Sequence, residues 1–94
     1  MVTRTTLQKL DDATVAHTDA GPYFVIEGTS CKEAIVTGCV SKVRPALCYI
    51  EVEGKLFTAM KKRGLEEGDE VDCRLSLGYE NGEKKYAVLS VEKR

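Results

Sequence analysis

Apolar and polar residues alternate with a period of two through much of this chain, the spacing of half-buried β-strands. Val71, Cys73, Leu75, Leu77 and Tyr79 alternate strictly with Asp72, Arg74, Ser76 and Gly78. Leu47, Tyr49 and Glu51 alternate with Cys48, Ile50 and Val52 in the same way. From Ala34 to Val43 both sides are partly apolar, with Ile35, Thr37, Cys39, Ser41 and Val43 on one and Val36, Gly38, Val40 and Lys42 on the other. A strand that coils around a small barrel is buried on different faces along its length, so Gly38 is predicted at a bend or bulge. Lys55 to Met60 and Glu83 to Arg94 complete five strand-length segments, the last with Ala87, Leu89 and Val91 apolar on one face.

The turns between them are short. Glu53-Gly54 and Asn81-Gly82 have the composition of two-residue hairpins, and Pro45 stands where a loop re-enters a strand. The Lys61 to Glu70 connector, divided by Gly64 and Gly68, is too short for a long crossover helix and predicts one turn at most around Leu65, which plugs the barrel. The pattern therefore predicts an all-β fold, a small five-stranded barrel over residues 21–94. Residues 1–20 read as an N-terminal arm: Thr5 or Thr6 caps a helical turn through Leu7 and Leu10, and the chain then runs extended. Gly21-Pro22 breaks it, Tyr23 to Glu27 forms a short strand, and Gly28-Thr29-Ser30 ends that strand.

A chain of 94 residues is one domain with one core. Its 14 basic and 15 acidic side chains nearly cancel, so polyanion binding requires a local patch. The amino terminus lacks the apolar core of a signal peptide and no stretch is long enough to span a membrane, which predicts an intracellular protein, nuclear or cytoplasmic. The start at Met1 is that expected of a complete small protein. Cys31, Cys39, Cys48 and Cys73 contain no CxxC pair, and they are expected to be reduced and mostly buried. His17 has no partner nearby in sequence and is expected on an exposed loop. No nucleophile–base ordering, phosphate loop or calcium-loop spacing is present, so neither catalysis nor a cofactor or metal is expected.

Charge segregation is the informative feature. Lys55 to Arg63 carries four basic residues and no acidic one, whereas Glu66 to Asp72 carries five acidic residues and no basic one. If the end of the first barrel strand lies beside this run, Lys42, Arg44, Lys61, Lys62 and Arg63 line one rim, with Lys55 farther along the third strand. Tyr49 and Phe57 on neighbouring strands then offer base-stacking faces. Aromatic platforms flanked by cations hold single-stranded nucleic acid in small barrels. A plain structural reading stands beside it, with Tyr49 and Phe57 as core and the Lys61-Lys62-Arg63 run as a solvated loop. Between Lys9 and Lys32 there is no basic residue, while Asp11, Asp12, Asp19 and Glu27 are acidic, so this segment is expected to be drawn towards the basic rim.

With the segments placed, the chain resembles the oligonucleotide/oligosaccharide-binding (OB) fold as used in the middle subunit of replication protein A and its telomeric relatives. Tyr23 to Gly28 resembles the strand before the barrel, Ile35 to Val43 the first barrel strand with its central glycine, Leu47 to Gly54 the next strand and turn, and Val71 to Val91 the closing hairpin. The family's long acidic crossover is replaced here by the short Lys61 to Glu70 connector, and its trailing assembly helix has no counterpart before Arg94. The resemblance implies an OB-type Greek-key barrel in a nucleic-acid-associated complex. Single-stranded DNA is then expected ahead of RNA as ligand, with protein partners in a multi-subunit assembly and no membrane. Two alternatives remain, a protein-interaction scaffold without direct binding and an RNA-binding module of translation or RNA processing.

Overall fold

The computed structural model describes residues 2–94; Met1, at the head of the predicted arm, lies outside them. Along the chain follow β1 (Val2–Arg4), α1 (Leu7–Asp12), β2 (Thr14–Thr18), β3 (Gly21–Ile26), β4 (Thr29–Cys31), β5 (Glu33–Val43), β6 (Leu47–Val52), β7 (Lys55–Met60), β8 (Glu70–Glu80) and β9 (Glu83–Lys93). The last five are the predicted barrel strands. They pair in the order β7-β6-β5-β8-β9, antiparallel at each step. β7 curls round against β9 without a hydrogen-bonded ladder. This is the order of a partly open five-stranded Greek-key barrel.

Tight turns set the registers. Glu53-Gly54 has φ of 50° and 82° and Asn81-Gly82 has 52° and 80°, the two positive values that a type I′ hairpin demands. Glu27-Gly28 adopts the same turn, at 49° and 82°. The chain therefore continues directly from β3 into β4 rather than ending its strand there. The core is built from the inward positions Val36, Val40, Ile50, Val52, Val71, Cys73 and Leu75 together with Phe24 and Leu10. Leu65 is buried with them, carried by tight turns with no helical residue in the connector.

Gly38 stands where β5 changes partners, between the β1 pairing at Glu33 to Ile35 and the β6 pairing that starts at Cys39. It pairs with Val71 without a register shift, and the bulge predicted at Gly38 falls instead between Val40 and Lys42. What Gly38 supplies is space. A Cβ there would lie 2.8 Å from the Ile50 and Val52 methyl groups and 2.9 Å from the Glu51 carbonyl oxygen. A second shift, between Arg74 and Leu75, makes β9 switch faces: Tyr86 and Val88 are half-buried, Val91 is buried, and Leu89 is exposed rather than inside with Val91.

Of the residues before β3, those of β1 and α1 are built into the barrel. β1 lies parallel to the start of β5, and β2, β3 and β4 form an antiparallel sheet. The Thr6 hydroxyl caps α1 by accepting from the Lys9 N–H at 3.2 Å. The Glu53 carboxylate accepts from the Leu7 and Gln8 amides, 2.5 and 3.1 Å away, where the helix has no internal acceptors. At the other end the Lys84 ammonium donates to the carbonyls of Leu10, Asp11 and Ala13. Leu7 and Leu10 are thereby fixed in the core.

Candidate functional site

Strand pairing lays out a grid on the outer face of β5, β6 and β7. Cys39, Glu51 and Leu56 form one row and Lys42, Tyr49 and Thr58 the next. Arg44, whose amide donates to the Leu47 carbonyl, extends the Leu47–Met60 pair into a third. The Lys61 amide donates to the Ala46 carbonyl, which brings Lys61 to the same end. Residues of one row share a face because pairing keeps side-chain direction in step across a sheet. The bulge after Val40 is what turns Lys42 outward beside Tyr49 while Val40 stays buried opposite Ile50.

The eight predicted residues divide accordingly. Lys42, Arg44, Tyr49 and Lys61 gather on this face and its rim. Arg63 follows two residues later, in the turn with Gly64. Lys62 leans away, its ammonium 3.0 Å from the Glu92 carboxylate of β9. Phe57 points inward, 8% exposed and paired with Ile50. Lys55, about 20 Å from Lys61 along the strand, places its ammonium 5.6 Å from the Phe57 ring centre and 5.4 Å from that of Tyr86. Tyr49 and Phe57 therefore do not form one platform. The two-residue turn held the signal, since Glu53-Gly54 pairs Val52 with Lys55 and hence Ile50 with Phe57.

Sequence reasoning gave no role to the apolar members of the face. Leu47, Leu56 and Met60 are 38, 56 and 79% exposed. The alternation that buries Cys48, Ile50 and Val52 turns Leu47 outward, and the same register turns Leu56 and Met60 outward.

Electrostatics separates this face from the opposite wall. Among the described residues, Lys42, Arg44, Lys61 and Arg63 form no ion pair. On the β1–β5–β8 wall the charges are matched: Arg4 donates to both Asp72 oxygens at 3.0 and 2.8 Å, Arg74 reaches Glu33 at 2.5 Å and Arg94 reaches Glu70 at 2.7 Å. The hydrogen bonds from Arg4 hold the Asp72 carboxyl below its usual range. The acidic segment does not lie on the basic rim. Asp11 accepts from the Tyr86 hydroxyl at 2.7 Å, and Glu27 meets Lys9 at 2.7 Å.

Cys31, Cys48 and Cys73 are buried and free, and Cys39 is free but exposed in the first row of the grid. His17 lies on β2 rather than in a loop, exposed, with its ring 5.5 Å from that of Tyr79. Among the described residues no three His, Cys, Asp or Glu side chains are grouped as a metal site. A groove of about 700 Å³ opens beside β8 and β9, lined in part by Lys32, Gly78, Tyr79 and Lys85, and holds none of the eight predicted residues.

No family model matches the chain, and no curated protein matches it. Among solved structures, the whole chain superposes on a chain from a replication protein A heterotrimer bound to single-stranded DNA. The TM-score is 0.65, the match covers 81% of that chain, and 11% of residues are identical. The protein is an OB-fold barrel. In that fold β6 and β7 are the second and third barrel strands.

Proposed function

We propose that the outer face of β5–β7 binds single-stranded nucleic acid, DNA ahead of RNA, as a non-catalytic module of a larger intracellular assembly, nuclear or cytoplasmic. The observation that carries this reading is the pairing of Lys42 with Tyr49 on adjacent strands, with Arg44 and Lys61 at the same end and, among the described residues, no carboxylate bound to any of the three cations. OB barrels receive oligonucleotides across their second and third strands, here β6 and β7. Tyr49 offers a ring for one base, worth about 1–3 kcal/mol. The cations then meet the flanking phosphates and release counterions. Likeness to a chain from an assembly bound to single-stranded DNA supports DNA ahead of RNA.

A second reading rests on the exposure of Leu47, Leu56 and Met60 on the same face and on the net charge of −1. These suit a scaffold barrel that holds a protein partner and leaves nucleic acid to others. The test is a titration with oligo-dT and oligo-U over a range of salt, repeated with Lys42→Glu combined with Lys61→Glu. Direct binding predicts a log–log salt slope that shrinks by roughly 1.4 in the variant, two phosphate contacts at about 0.7 each. An affinity unchanged by the double substitution at low salt removes direct binding through this face and leaves the scaffold.

A further inference from the structure

β2 is an edge strand without the usual protection. It pairs with β3 on one side only, and no described main-chain hydrogen bond joins residues 14–18 to any other element. Thr14, Ala16, His17 and Thr18 are exposed, and Val15 packs on the core. The stretch contains no charged residue, proline or glycine in a chain that is 31% charged. Exposed edges are normally blunted by shortness, by charge or by bulges, because their unpaired amides and carbonyls accept another strand. β1 and β4 are only three residues long, and β9 carries Lys84, Lys85, Glu92 and Lys93. β2 has none of these devices.

Charge at the ends of this edge selects its occupant. Among the described residues, Asp12 closes one end, its carboxylate accepting only from the neutral Gln8 amide, and Asp19 closes the other without an ion pair. Lys9, three residues before Asp12, is paired with Glu27, and Lys84 and Lys32 donate to main-chain carbonyls of Ala13 and Ala20. A second copy of the chain pairing antiparallel about Ala16 would set each Asp19 opposite the other copy's Ala13, so each end of the joint ladder would gather like charge, one Asp19 and one Asp12 a single register step apart on opposite faces. A strand with cations at both ends meets the two carboxylates favourably.

We infer that β2 is a docking edge for an extended segment of a partner protein, apolar and β-branched over about five residues with Lys or Arg at each end, added to the β2–β3–β4 sheet by main-chain pairing. This surface is separate from the β5–β7 face and independent of its ligand.

The probe is a synthetic peptide of alternating valine and threonine with two lysines at each end, titrated into the full chain at low salt. Amide hydrogen exchange at residues 14–18 and affinity are the readouts. Two further peptides carry N-methyl groups on one or the other alternate set of amides, so that only one loses the donors facing β2, and a third carries glutamates at its ends. Exchange at residues 14–18 is expected to slow, one N-methylated form to bind at least about tenfold more weakly while the other binds unchanged, and the glutamate-ended form to bind weakly. Absence of binding overturns the inference, as do equal affinities for both N-methylated forms or for lysine and glutamate ends. A chain already dimeric, with residues 14–18 protected before peptide is added, overturns it in favour of a second copy.

Discussion

Tyr49 and Phe57 stand on adjacent strands and project to opposite faces of one sheet: Tyr49 pairs with Lys42 and Thr58 outside, and Phe57 pairs with Ile50 within. Their substitutions should separate folding from binding. Phe57→Ala is expected to cost roughly 3–5 kcal/mol of stability. Tyr49→Ala, on a half-exposed ring, should change stability little and weaken oligo-dT binding by about 1–3 kcal/mol. Urea unfolding and a binding titration on both variants check this.

The amino-terminal segment should behave as part of the core. Leu10 is fully buried, and α1 is tied to the barrel by Glu53 at one end and Lys84 at the other. Leu10→Ala should cost roughly 2–5 kcal/mol. Deletion of residues 1–13 is expected to unfold the barrel, which circular dichroism of the truncated chain would report.

At Gly38 even one methyl group is too many. Its Cβ would meet the Glu51 main-chain oxygen at 2.9 Å, and backbone cannot rotate away as a side chain can. Gly38→Ala should lose roughly 1–3 kcal/mol, and Gly38→Val more, read as successive drops in unfolding midpoint.

Stability should fall in alkali. Burial raises the Cys73 thiol from 9.0 to about 11, with Cys48 and Asp72 adding to the effect. Burial and the bond to Asp11 also raise the Tyr86 hydroxyl. Both groups hold their protons more tightly folded than unfolded, so the stabilisation is complete below the unfolded values and is lost as pH rises through the folded ones. Urea unfolding between pH 7 and 11 should show a decline beginning near pH 9, on the order of 2 kcal/mol from Cys73 alone. Cys73→Ala should have a shallower decline than the parent chain.

The barrel was legible because its strands alternate and its turns carry glycine where positive φ is required, at Gly54 and Gly82. The cap at Thr6 and the burial of Leu7 and Leu10 were legible for the same local reasons. Less legible were features set by pairing between distant strands. The bulge near Ser41 decides which way Lys42 faces, and the register shift opposite Arg74 exposes Leu89. Neither has a local composition signal. The inward turn of Phe57 was different, since it follows by counting from Glu53-Gly54. The Glu92 partner of Lys62 lies thirty residues away, across the β7–β9 closure, and no local charge pattern announces it.

The most direct measurement is an amide and methyl chemical-shift titration of the full chain with oligo-dT at low salt. Binding on the outer face of β5–β7 predicts shifts concentrated at Lys42, Arg44, Leu47, Tyr49, Thr58, Met60 and Lys61, with residues 14–18 and the β8–β9 hairpin unmoved. Shifts centred on β8–β9 or on β2, or none at a concentration that saturates a replication protein A control, would contradict the account.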